Sequence, residues 1–287
     1  MNIHTITMPD SRIVSVKVLG DTSKQPLIFF HGLGSSSAAI SVNVNLLKEE
    51  GAFIIGIDRP GYGLSDLKGS YSLEQAISDT KFILDSFQIK KAALIGWSGG
   101  GVYAQAFAET YPDSTVSLNL IGSMIPLNGK SSKKSLTPGW KILYYLNNHT
   151  QFLSKLIFKL ASQKLAKHPE QTVSMAVNVL ARHDRLIAKK YLDVLTKGAL
   201  EGFQHKGTAI YADSQVLTHP HKMPVKDRAF PVHIWQGDND RLWPVKASVY
   251  LKKQYTHSQF HLVPGKGHTI YFEKWGEIIR TAVASFK

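Results

Sequence analysis

Three groups of residues in this 287-residue chain have the types and spacing for nucleophilic acyl transfer. The first is Gly96-Trp97-Ser98-Gly99-Gly100, a G-x-S-x-G run. A serine on a tight strand-to-helix turn is held in strained backbone geometry, with its hydroxyl exposed and a helix N-terminus behind it. Its neighbours must be small, because a side chain two positions away meets the adjoining strand or helix. Taken alone, five such residues also fit an ordinary glycine-rich turn. The second group is His31-Gly32-Leu33-Gly34. A tetrahedral intermediate needs backbone N–H donors aimed at its oxyanion. The glycine-rich turn can supply one, from Leu33, and the residue after the serine supplies the other, from Gly99. The His31 ring then has a conformational role, holding its loop by hydrogen bonds. The third group is a carboxylate with a histidine. An imidazole acting as base needs a carboxylate to fix its tautomer and support its charged form. Asp238 and Asp240, in Gly237-Asp238-Asn239-Asp240, both qualify by type. His268 lies in the glycine-flanked loop Pro264-Gly265-Lys266-Gly267-His268. Of the twelve histidines it stands out by position, whereas His257 and His261 lie at or within a strand and fit surface or packing roles. Gly32, Trp97 and Ile270 adjoin these groups and are expected on the wall of a substrate pocket.

The elements that must position these residues alternate in type. Short apolar or alternating runs predict strands at Ile13 to Leu19, Leu27 to Phe30, Ala52 to Ile57, Ala92 to Ile95, Val116 to Leu120, Pro231 to Trp235 and Gln259 to Val263. Helices are predicted at Ala39 to Lys48, Ser72 to Phe87 (with Ser72 as N-cap), after Ser98, at Val245 to Lys253 and at Ile270 to Phe286. Such alternation implies a mostly parallel sheet covered on both faces. The serine turn, the His31 loop, the Asp238/Asp240 turn and the His268 loop each follow a strand. They therefore converge on the crevice at the strands' carboxyl ends. Between Met124 and Pro224 the alternation stops. Helices are predicted there at Pro138 to Asn147, Gln151 to Lys164, Glu170 to Ala181, Leu186 to Leu200 and Gly207 to Leu217.

The charge is concentrated in that helical stretch. It carries fifteen Lys/Arg against five Asp/Glu, a balance of +10 out of a net +13. A basic surface there can attract an anionic acyl substrate or rest on an anionic membrane. The plainer expectation is a solvated basic surface, with the apolar side of the Gln151 helix packed on the segment's own core. The overall composition, 43% hydrophobic and 19% charged, is that of a globular protein. No apolar run approaches the ~20 residues of a bilayer span, and Met1 to Arg12 lacks a secretory signal pattern. With no cysteine, disulfides and thiolate metal sites are excluded, and a cytoplasmic location is expected by default. No zinc, nucleotide or nucleic-acid motif is present, so neither cofactor, metal nor nucleic-acid partner is expected.

The stretches HGLGSS at His31, DRPGYGLSD at Asp58, GWSGGG at Gly96, GDNDRLWP at Gly237 and GKGHTI at Gly265 resemble, in order, those of the α/β-hydrolase fold superfamily. The resemblance is to its compact, serine esterase or lipase-like branch with a helical cap. It implies an eight-stranded, mostly parallel sheet, formed by residues 1–123 and 225–287, with a cap at 124–224 inserted after the sixth strand. It also implies a catalytic triad of Ser98, Asp240 and His268, with Leu33 and Gly99 as oxyanion-hole donors. Gly237, Asp240, Trp243 and Pro244 match the family pattern, which settles the acid on Asp240 and leaves Asp238 to shape its loop. Serine at position 98 disfavours the relatives with an aspartate nucleophile. Gly99 and Gly100 replace the Trp-Gly pair of iminopeptidase-like relatives, and the lipase-type HGGG is absent. The implied function is hydrolysis of a carboxylic ester or related acyl bond of a small molecule, anionic and lipid-like substrates included. Thioester, monoacylglycerol and carbon–carbon bond hydrolysis, or a non-catalytic receptor on the same fold, are the alternatives.

Overall fold

A computed structural model describes residues 2–221, 223 and 229–286. The strands β1 (Asn2–Thr7), β2 (Ile13–Gly20), β3 (Gln25–Phe30), β4 (Ala52–Ile57), β5 (Ala92–Trp97), β6 (Thr115–Ile121), β7 (Val232–Gly237) and β8 (Gln259–Val263) form one sheet. Its order is β1-β2-β4-β3-β5-β6-β7-β8. Only the two pairings made by β2, with β1 and β4, are antiparallel. Pattern alone misses β1. Its residues are almost all exposed and only Ile3 and Ile6 are apolar, so an edge strand packed on little leaves no alternation to read.

Helices α1 (Val44–Glu49), α2 (Leu73–Ser86) and α3 (Gly100–Thr110) follow β3, β4 and β5. Ser72 caps α2 by accepting the Gln75 N–H at 3.1 Å. The predicted helix at Ala39 to Lys48 is a 3-10 turn, Ser37–Ala39, and then the short α1. Asn43 restarts the chain by capping the Asn45 N–H at 2.9 Å. Between β6 and β7 lie α4 (Lys130–Lys134), α5 (Pro138–His149), α6 (Gln151–Lys167), α7 (Pro169–Ala176), α8 (Arg182–Lys190), α9 (Leu192–Gly202) and α10 (Thr208–Thr218). The expected boundary of this segment at 224/225 lies outside the described residues. α4 is too short to carry a period. The predicted Glu170 to Ala181 helix ends at Ala176, in a further 3-10 turn at Val177–Val179. The predicted Leu186 to Leu200 helix breaks at Tyr191, which leaves helical geometry (φ −114°, ψ 30°). The Tyr191 ring stacks on Phe272 at 4.3 Å, so a tertiary contact sets the break. α11 (Val245–Gln254) precedes β8, and α12 (Tyr271–Ala284) follows it.

Successive strand residues feed opposite faces of the sheet. Ile28, Phe30 and Leu94 pack with Leu84 of α2 and Phe107 of α3, while Leu27, Phe29 and Ile95 pack with Leu47 of α1 and Ile278 of α12. Two cores, one on each face, make the central parallel strands apolar throughout.

The inter-strand helices are tied to the sheet loops through carboxylates. Asp213 of α10 is fully buried. It accepts from Arg59 Nη2 at 2.6 Å and Nε at 3.2 Å, and from the hydroxyls of Tyr62, Tyr103 and Tyr71 at 2.7, 2.6 and 3.1 Å. Burial, followed by the Asp213 charge, holds all three phenols far above the ordinary tyrosine pKa, so they stay donors. Glu201 of α9 accepts from Lys17 and Ser36.

One packing expectation fails. The apolar side of α6 does not face a core: Phe152, Leu156, Ile157 and Leu160 are exposed. The buried side of that helix carries Ser154 and Leu165 instead. Ser154 Oγ bonds Asn147 Oδ1 at 2.5 Å, and Asn147 Nδ2 bonds Ser214 and Thr218 of α10. A polar knot holds α5, α6 and α10 together, and it turns the apolar stripe outward.

A buried ion pair contributes little net stability, but removing one partner strands the other. Asp213→Ala leaves the Arg59 guanidinium buried without its carboxylate and is expected to cost about 3–5 kcal/mol. A urea unfolding midpoint equal to that of the unaltered protein would contradict this.

Candidate active site

Ser98 sits one residue beyond β5, at φ +54°. That conformation is uncommon for a residue with a Cβ, and the surroundings enforce it. Its N–H donates to Ile121 O on β6 at 3.1 Å, and its carbonyl accepts from Gly101 N and Met124 N. The flanking glycines are required sterically. A Cβ on Gly100 would stand 2.0 Å from Phe30 O, and one on Gly96 would stand 2.7 Å from Gly101 Cα.

The Asp240 and His268 side chains meet. His268 Nδ1 lies 2.9 Å from Asp240 Oδ2, and both residues are buried. The other oxygen, Oδ1, accepts the Leu242 and Trp243 N–H groups at 2.8 and 2.9 Å, which fixes the carboxylate's orientation. Asp238 is exposed and, among the described residues, its side chain accepts from Asn239 within its own turn, at 2.9 Å. His261 stacks on Trp235 at 3.9 Å, away from this group.

A second carboxylate acts on the His268 loop. Asp184 of α8 is fully buried. Oδ2 accepts the His268 N–H at 2.9 Å; Oδ1 accepts the Thr269 N–H at 2.9 Å and the Thr269 hydroxyl at 2.7 Å. Burial opposes the charged form of His268. The Asp240 charge and hydrogen bond outweigh it, with the Asp184 charge adding to them, and the imidazole's pKa is raised above its ordinary value.

The His31 loop lies beside Ser98. A Cβ on Gly99 would be 3.2 Å from Leu33 N, and one on Gly32 would be 3.2 Å from Ser98 Cβ. Among the described residues, neither the Leu33 nor the Gly99 N–H finds an acceptor within the protein. Buried His31 donates from Nδ1 to Gly32 O at 3.0 Å, and its Nε2 faces the Arg59 N–H at 3.5 Å. Burial, then the Arg59 charge, keeps the ring neutral. Arg59 reinforces the loop by donating to His31 O at 2.7 Å and Gly32 O at 3.2 Å.

Ser98, His268, Gly32, Leu33 and Trp97 line one side of a cavity of about 620 Å³. Trp140 and Leu143 of α5, Leu180 and Leu195 line the other, so the inter-strand helices cover the site. The volume fits a small-molecule ligand. Ile270 does not reach it: this residue is buried in the core beneath α12, and Thr269 takes its place on the wall. Exposed Arg241 also lines the cavity, and among the described residues it has no ion-pair partner.

Sequence reasoning missed Asp184, Asp213 and Arg241. A signal existed for the first two, as two of only five acids in a stretch with fifteen cations. Arg241 stood inside a motif read only for its aspartate.

An NMR titration of labelled histidines is expected to place the His268 midpoint above the reference value of about 6.5. A negative charge favours the imidazolium, so removing one lowers the pKa. In Asp184→Asn the midpoint therefore moves down. An unmoved midpoint would show that Asp184 does not act on the ring.

The family model described as alpha/beta hydrolase fold matches residues 25–274. A 2-hydroxy-6-oxononadienedioate/2-hydroxy-6-oxononatrienedioate hydrolase from Paraburkholderia phymatum is 28% identical over 261 residues, covering 87% of this chain and 83% of its own. Among solved structures, an esterase from Rhodococcus sp. superposes with TM-score 0.74 at 18% identity, over 100% of both chains. A meta-cleavage product hydrolase from Pseudomonas fluorescens does so with TM-score 0.70 at 20% identity, over 99% of this chain and 97% of its own. At these identities the superpositions speak for the fold alone, while the family match spans most of the sequence: the chain belongs to the α/β-hydrolase family.

Proposed function

We propose that this hydrolase cleaves a carboxylic ester of a small molecule through an acyl-enzyme on Ser98. The observation that carries the reading is one cavity lined by Ser98 on its strained turn, by His268 bonded to an oriented carboxylate and by Leu33, whose N–H, like that of neighbouring Gly99, has no acceptor among the described residues. His268, through Nε2, takes the Ser98 hydroxyl proton as Oγ attacks the acyl carbon. Asp240 supports the resulting imidazolium. The Leu33 and Gly99 N–H groups receive the oxyanion. As the intermediate collapses, the carbon–oxygen bond to the leaving alcohol breaks and His268 returns the proton to it. Water then attacks the acyl carbon, again losing its proton to His268, which releases the acid and restores Ser98. Residues 124–224 act as the cap, and their helices supply the apolar wall that receives the acyl group. Every group a turnover cycle needs is present, which supports an enzyme over a non-catalytic receptor.

One observation favours a second reading. Arg241 gives the cavity a cation without a carboxylate partner among the described residues, which suits an anionic substrate. The relative from Paraburkholderia phymatum is named for hydrolysis of dicarboxylates. Carbon–carbon hydrolysis of a vinylogous keto acid would use the same base and oxyanion donors.

Ser98→Ala is expected to lower kcat/KM on a short nitrophenyl ester by at least about a thousand-fold. Retention of full activity would refute the proposed nucleophile. A panel pairing nitrophenyl esters with a 2-hydroxy-6-oxo-dienoate separates the two bonds. Arg241→Met should raise KM about ten-fold for a carboxylated ester and leave a neutral ester unchanged. Equal effects on both would remove the anionic-substrate reading.

A further inference from the structure

The outward stripe on α6 is unusual for a globular surface. Phe152, Leu153, Leu156, Ile157 and Leu160 are 70%, 37%, 45%, 50% and 54% exposed, on two adjoining lines of a single helix. Isolated exposed apolar residues are normal, whereas contiguous ones mark an interaction site. On α5, which packs beside α6, Ile142 and Tyr145 are also exposed, one turn apart. Beyond the other flank of α6, exposed Met175 of α7 touches Lys164 Nζ at 3.7 Å through its sulfur. Val179 is exposed and also lines the cavity. Apolar surface thus runs from α6 toward the mouth of the site.

The charge around this surface has one sign. From Ser114 to Pro169 the chain has no Asp or Glu and eight Lys. Four of these, Lys155, Lys159, Lys164 and Lys167, are exposed on α6, and exposed Lys141 lies on α5. Of the segment's five acids, Asp184, Glu201 and Asp213 point into the core contacts described above, and exposed Glu170 and Asp193 lie on α7 and α9, not on α5 or α6. An apolar helix face bordered by long cationic side chains is the composition that lies in a lipid headgroup layer. There the apolar residues enter the acyl boundary and the ammonium groups reach the phosphates.

We infer that the α5–α6 face docks on an anionic phospholipid surface, with α6 lying along the membrane plane. Other occupants fit less well. In a two-fold dimer the patch would face itself and bring its lysines together. Protein partners are held chiefly by Trp, Tyr and Arg anchors in pockets, and the exposed apolar residues of α6, Phe152 apart, are aliphatic. Docking is separate from the reaction assigned above and is read without turnover.

The experiment is sedimentation of the full chain with vesicles of phosphatidylcholine, with and without phosphatidylserine. Binding is expected to need phosphatidylserine and to weaken as salt is raised. Lys159→Gln and Lys167→Gln should each weaken it about five-fold. The double variant Phe152→Ser/Leu156→Ser should weaken it at least ten-fold or so. These side chains are exposed, so the variants' urea midpoints should match that of the unaltered protein, which keeps loss of fold apart from loss of docking. Three outcomes would overturn the inference: no pelleting with phosphatidylserine vesicles, equal pelleting by the double variant, or a dimer in sedimentation equilibrium that the double variant disperses. The last would give the face to a second copy.

Discussion

A carboxylate removed from water must be surrounded by donors, and this requirement organises the loops at the carboxyl ends of the strands. Asp58 accepts from the Ser37 N–H and the Ser15 hydroxyl, both at 2.8 Å, which closes the turn after β4 onto β2 and onto the loop after β3. Asp240 takes two backbone amides and the His268 ring. Asp184 takes two amides and a hydroxyl of the His268 loop, and Asp213 takes Arg59 and three tyrosines. Each satisfied carboxylate specifies a loop conformation. Apolar packing, which tolerates volume-conserving exchange, specifies one less tightly. Three of the four bear on the proposed site: Asp240 and Asp184 hold His268 and its loop from two directions, and Asp213 holds Arg59, which holds the His31 loop.

The same requirement sorts charge within the helical segment. Three of its five acids are drawn inward by donors that the sheet loops present, which leaves only Glu170 and Asp193 exposed beside its many lysines. Outward basicity is thus partly a consequence of how the segment is fastened. The α6 stripe has a related origin. Asn147 and Ser154 form the contact between α5, α6 and α10, so the inner side of α6 is small and polar and its large apolar residues face solvent. A helix whose moment points outward gains nothing in folding from that face, which is why a surface outside the protein is the natural place to look for its partner.

The degree to which each feature was legible in the sequence follows the range of the interaction behind it. The turn at Ser98 is a local steric problem solved by glycines two residues to either side, and it reads directly from the sequence. Strand identity in the core was clear because β3, β4 and β5 are buried on both faces. The choice of Asp240 over Asp238 needed a family pattern, since type and spacing alone allowed either. The clamps did not read at all: Asp184 bonds a loop 84 residues away, and Asp213 bonds Arg59 across 154 residues. No local period or motif marks such a pair. Ile270 was misplaced because adjacency to His268 in sequence does not fix direction, and the start of α12 turns that side chain into the core. The α6 face failed for a different reason. Helical periodicity reports that a face exists, and the side it turns toward is decided by what its neighbours offer.

The raised pKa of His268 couples the clamps to the proposed chemistry. An imidazole that must accept a proton from a serine hydroxyl works better as it becomes more basic, up to the point where it is already protonated at the working pH. Asp240 is the nearer partner and acts through a direct hydrogen bond on Nδ1. Asp184 acts on the backbone of the same residue, so its charge reaches the ring without occupying either ring nitrogen. Asp184 thus fastens α8 to the loop that carries His268, and its place there is fixed by three hydrogen bonds.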